Sequence, residues 1–143
     1  MRRGETVDLL SLRVKRIIIF CGGATRMKLV ALKIPSGWRV DYNTFSKFNL
    51  DDIKEESDLL WELNEDILQM ANVHYHVILD LGWYPAHNIE GMYTLRLVKQ
   101  SEDMDTQTEN WRAPLEIFRT RNIDEVIEKI NLLLMQVANG KYK

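Results

Sequence analysis

A single cysteine, Cys21, stands among 143 residues, so the chain can form neither an internal disulfide nor a cysteine-rich zinc centre. No apolar run nears the ~20 residues a helix needs to cross a bilayer. The longest, "RIIIFCGGA", is short and flanked by Arg16 and Arg26. It also lacks the succession of charge, long apolar stretch and small-residue cleavage site of a signal peptide, which makes the cytoplasm the expected compartment. Catalytic signatures are missing too. There is no Gly-x-Ser-x-Gly elbow and no cysteine with a placed histidine, and Cys21-Gly22-Gly23 lacks the Lys-Ser/Thr of a phosphate-binding loop. Carboxylate pairs occur at Asp51-Asp52 and Glu65-Asp66, but in so acidic a chain they read as solvated groups rather than an acid–base pair. The expectation is a protein without enzymatic activity and without a cofactor.

What is present is ordinary for a globular protein: 45% hydrophobic and 28% charged residues, at a length that suits one core. The net charge of -2 conceals an asymmetry. Residues 1–26 hold six of the 19 Lys/Arg and two of the 21 Asp/Glu, which leaves 13 bases and 19 acids, a net of -6, over residues 27–143. A nucleic-acid binder needs Lys/Arg to neutralise phosphates, so this balance argues against one. It suits a protein that meets a basic partner.

Met27 raises the question of where the domain begins. "MKLVALKIPSGWRVDYNTF" has the alternation of a natural N-terminus, and nothing in residues 1–26 joins it in period. Two readings stand: 1–26 extend the reading frame upstream of a natural start at Met27, or "VKRIIIF", rich in β-branched residues, is an edge strand. Residues 27–140 are expected to form a single α+β domain.

Within it, Leu29–Ile34 and Trp38–Tyr42 both alternate around the turn cluster Pro35-Ser36-Gly37, which predicts a hairpin. "SKFNLDDIKEES" reads as a connecting loop or helical turn. Asp58–Ala71 satisfies both periods: Leu60, Leu63, Ile67 and Met70 at helical spacing, Leu59, Trp61 and Leu63 in alternation. The short connection to the next strand tips its second half toward strand. His74–Tyr84 and Met92–Gln100 read as strands joined by "PAHNIEG", and "SEDMDTQTEN" as a polar, flexible insertion. "WRAPLEIF" reads as an edge segment, because Pro114 cannot donate to a ladder. Asn122, three residues before Glu125, predicts a capping box for a helix whose apolar stripe is Val126, Ile127, Ile130, Leu133, Leu134 and Val137. The expected fold is therefore α+β: an antiparallel sheet of four to five strands covered on one face by a C-terminal amphipathic helix over Asp124–Val137.

Three features invite a functional reading. His74 and His76, two apart on a strand, share a face, and with His87 and a carboxylate such as Asp80 they sketch a metal site, though a pair of surface histidines is the better reading of so unspecific a spacing. From Asp51 to Asp66 there are eight acids against one base, Lys54. That run is either a solvated face or a steering surface for a basic protein, and it encloses an aromatic, Trp61. In Gly82-Trp83-Tyr84-Pro85, Gly82 permits a bulge or bend and Pro85 ends the strand, while a regular strand sends Trp83 and Tyr84 to opposite sides, one ring into the core and the other outward.

"GWRVDYNTF", "LNEDILQ", "ILDLGWYP", "EGMYTLRLVK" and "WRAPLEIFRTR", followed by the closing helix, resemble small bacterial immunity proteins of polymorphic or contact-dependent toxin systems over about residues 38–134. The stretch before Trp111 departs from that pattern. The resemblance implies a small cytoplasmic α+β protein that binds and neutralises one cognate toxin without catalysis, and no catalytic residue is carried over. On this reading an acidic surface attracts a basic toxin, with Trp61, Glu62, Glu65, Asp66 and Tyr84 as contact residues. The alternative is a metal-binding protein or metal-dependent enzyme using His74, His76 and Asp80. A third reading is a structural subunit that dimerises through an open sheet edge.

Overall fold

A computed structural model describes residues 28–53 and 58–143, so the proposed start at Met27, the "VKRIIIF" strand and Lys54–Ser57 of the acidic run lie outside the described residues. The chain runs β1 (Trp38–Asn43), β2 (Leu68–Asn72), β3 (Val77–Tyr84), β4 (Met92–Lys99), α1 (Met104–Arg112), β5 (Glu116–Thr120) and α2 (Ile123–Ala138), with short 3-10 turns at Leu50–Asp52 and Asp58–Glu62. The five strands form one antiparallel meander in the order β1-β2-β3-β4-β5. The α+β architecture with a closing helix is the one expected.

Helix α2 follows from its own sequence. The Asn122 side chain accepts hydrogen bonds from the Asp124 and Glu125 amides at 2.9 and 3.2 Å. The predicted reciprocal bond is relayed: the Asn122 amide donates to Thr120 Oγ1 at 3.0 Å, and the Thr120 hydroxyl donates to Glu125. Val126, Ile130, Leu133, Leu134 and Val137 share the core with Leu68 and Met70 of β2, Leu79, Leu81 and Trp83 of β3, and Tyr93, Leu95 and Leu97 of β4. Asn122→Ala removes the cap and is expected to cost about 1 kcal/mol of stability, read by urea denaturation. A loss indistinguishable from zero would mean that Thr120 alone secures this helix start.

Four local expectations are corrected. Leu29–Ile34 forms no strand: Leu29 makes an isolated bridge to Ser46, the Val30 amide donates to the Phe45 carbonyl, and the Lys33 amide donates to Asn131 Oδ1 on α2. Its alternation reports Val30 and Leu32 lying against the core, not backbone pairing. The partner of β1 is β2 instead. Within β1 a bulge inserts Asp41 between Val40 and Tyr42, which turns Tyr42 to the face opposite the one its spacing from Trp38 implies.

"SEDMDTQTEN" contributes most of helix α1. Asp103 caps it, accepting from the Thr106 amide at 2.8 Å and the Thr106 hydroxyl at 2.7 Å. None of its residues is buried, so it carries no apolar stripe for periodicity to find. Polar side chains dock it, with Gln107 and Asn110 both donating to the Lys99 carbonyl. Finally, His74 and His76 do not sit on a strand. They belong to the β2–β3 turn, where Asn72 Oδ1 accepts from the His74 and Tyr75 amides and His76 takes a positive φ of 54°.

Candidate functional site

The face of the sheet away from α2 carries a row of side chains in register: Tyr42, Gln69, Asp80, Arg96 and Ile117, one from each strand. Asp80 lies at the centre, 6% exposed. Burial pushes its carboxyl up to about 6; the Arg96 charge opposes that, Asp66 adds to it, and the Tyr42 hydroxyl bond lowers it. Arg96 lies over the ring of Tyr84, its guanidinium carbon 5.1 Å from the centroid, and donates to the Tyr84 hydroxyl at 3.5 Å.

A segment from Leu63 to Ile67 crosses beside this row. Leu63 and Ile67 are buried in the core and hold its two ends. The Trp83 amide donates to the Asn64 carbonyl, the His87 amide to the Leu63 carbonyl, and the Ile67 amide to the Leu81 carbonyl. Between the ends, Asn64–Asp66 arches over Gly82. A Cβ at Gly82 would stand 2.3 Å from the Glu65 carbonyl oxygen and 2.8 Å from the Tyr84 ring, so only glycine lets the arch close on the strand. This glycine makes no bulge, since β3 and β4 stay in register from Val77 to Tyr84.

The second loop, Pro85–Glu90, is held from inside. Trp83 is fully buried, yet its Nε1 donates to the Asn88 carbonyl at 2.7 Å. Arg121 donates to the Ile89 and Gly91 carbonyls. The loop presents His87, whose ring stands 4.6 Å from the ring of Trp61. Trp61 is 55% exposed, at the end of the Asp58–Glu62 turn.

Of the contact residues expected from sequence, the structure sets Glu65 and Tyr84 together over Gly82, with Asp66 beside them and next to Tyr42. Trp61 lies on the same loop, against His87. Glu62 does not join them: at 8% exposure its side chain is withdrawn from any contact surface. Tyr42 and Arg96 escaped sequence reading, and His87 entered it only as a candidate metal ligand beside His74 and His76. Opposite charges on two neighbouring strands were visible, but that Asp80 faces Arg96 depends on register. His74 and His76, on the turn before β3, do not converge with Asp80 in mid-strand, and among the described residues no group of three or more His, Cys, Asp or Glu is placed to hold a metal ion.

No protein-family model, curated protein or solved structure matches the chain. No helix among the described residues is long and apolar enough to cross a membrane.

Proposed function

We propose that this protein is a non-catalytic inhibitor that binds and neutralises a cognate bacterial toxin, using the surface formed by Trp61, His87, Glu65, Asp66 and Tyr84. The observation that carries the proposal is the exposed Trp61 ring, tilted at 56° against the ring of His87, whose own amide is bonded to the Leu63 carbonyl. A large apolar side chain held in place at the surface has little ordering entropy left to lose on contact, which is what a binding anchor needs. Glu65 and Asp66, four and five positions further along the chain, and the net charge of -6 over residues 27–143 suit a basic partner. The resemblance to immunity proteins supports the same reading from the sequence side.

The test begins with the tagged full chain, washed over a salt series in lysate of its source cells, to recover a partner in equal amount. With that partner purified, Glu65→Lys with Asp66→Lys is expected to slow association about tenfold at low salt, the difference shrinking as salt rises. Trp61→Ala is expected to speed dissociation by about tenfold or more. Unchanged rates in both variants would remove this surface from the interface. A captured partner that remains toxic when co-expressed would reject the inhibitor role.

A further inference from the structure

A sheet edge exposes backbone N–H and C=O groups that pair readily with another strand, so proteins blunt their edges with bulges, proline, charge or a covering segment. The two edges of this sheet, β1 and β5, differ in that respect. β1 has the bulge at Asp41, the Arg39–Asp41 ion pair at 2.7 Å, and a continuation in which Leu29 bridges to Ser46. β5 stays in unbroken register with β4 from Glu116 to Thr120 and contains no proline. Among the described residues no hydrogen bond reaches the outer backbone groups of β5. Ile117, on the face away from α2, is 45% exposed, and Leu115 just before the strand is 41% exposed.

We propose that two copies of this chain pair antiparallel through β5, about a two-fold axis at Ile117. Such an interface must be self-complementary, because each residue meets in the partner what the partner's copy meets in it. Centred on Ile117, the pairing sets that side chain against its own copy and covers both. On the opposite face it sets Glu116 against the partner's Phe118. In each chain Lys129 of α2 lies over Phe118, 5.8 Å from the ring centroid, and 3.5 Å from Glu116. The pairing therefore brings each Glu116 toward the partner's Lys129 as well as its own, and symmetry repeats the contact. An axis at Phe118 would instead set Ile117 against the partner's Arg119, leaving its apolar side chain beside a charge. A single strand edge buries less than the roughly 800 Å² per partner of a standard interface, so the association is expected to depend on concentration in the micromolar range.

β4 separates β5 from β3, the strand under the arch, so this interface is distinct from the proposed contact surface and its test does not bear on the inhibitor reading. The test is sedimentation velocity of the full chain at concentrations up to about 100 μM. The unaltered protein is expected to pass from one chain's mass to that of two. Ile117→Lys places two like charges at the axis and is expected to stay monomeric throughout, with its fold checked by urea denaturation. Lys129→Glu is expected to raise the dimer Kd about tenfold, since it reverses two symmetric contacts. Adding Glu116→Lys to it exchanges the charges and should restore the Kd to within about threefold. A chain monomeric at every concentration would overturn the proposal, as would a dimer of unchanged strength in Ile117→Lys. A dimer lost in Ile117→Lys but indifferent to Lys129→Glu, or not restored by the exchange, would overturn the axis at Ile117.

Discussion

Trp83→Ala is expected to destabilise the fold by about 3–5 kcal/mol, the range for removing a buried aromatic side chain. The indole is fully buried and edge-on to Tyr93, with ring centroids 5.0 Å apart and planes at 90°. Arg121 lies over its other aspect, 5.7 Å from the centroid. Truncation therefore leaves a cavity where β3, β4 and the Pro85–Glu90 loop meet. Trp83→Phe separates two roles. It keeps much of the apolar volume but deprives the Asn88 carbonyl of its Nε1 donor, an expected cost of about 1–3 kcal/mol. Urea denaturation gives the stability change, and amide hydrogen exchange at His87–Gly91 shows whether the loop opens locally. A Trp83→Ala protein within about 1 kcal/mol of the original would show that the surrounding side chains collapse into the space.

Asp80→Asn is expected to stabilise the protein at neutral pH, by up to about 3 kcal/mol. The folded chain keeps the Asp80 proton up to about pH 6, whereas the ordinary carboxyl value is 3.8. Between those values the folded state binds more protons than the unfolded state, so stability falls as pH rises through the window. Above about pH 6 the cost of a buried charge is fully present, and below 3.8 the contribution vanishes. Asparagine has no charge to bury and should remove this component of the pH dependence. Denaturation midpoints of both proteins at pH 4, 5, 6 and 7, taken as steps of about one unit across that window, provide the measurement. An Asp80→Asn protein less stable than the original at pH 7 would mean that attraction to Arg96 outweighs the burial cost.

The two predictions mark different depths of legibility. Trp83 and Tyr84 had to face opposite sides of any regular strand, so one buried and one outward ring were readable from adjacency alone. The exceptional position of Asp80 was not. Its environment comes from Tyr42 on β1, Arg96 on β4 and Asp66 on the arch, residues 38, 16 and 14 positions away in the chain. Tyr42 reaches it only because of the Asp41 bulge, a one-residue irregularity that reverses side-chain parity. Gly82 was readable as a special position but not for the right reason, since the Glu65 carbonyl that excludes a Cβ belongs to another segment.

By itself the sequence determined the features that arise within a few residues. These are the capped amphipathic helix α2, the strand character of β3 and β4, the turn chemistry around Gly37, and the acidic balance of residues 27–143. Each depends on spacing or composition that local physics reads directly. Tertiary structure alone decided that β1 pairs with β2, that a polar segment becomes helix α1, that Glu62 is buried beside an exposed Trp61, and that Asp80 meets Arg96. Those outcomes depend on which distant backbone supplies a hydrogen-bond partner and in what register, and a shift of one residue turns every strand side chain to the other face.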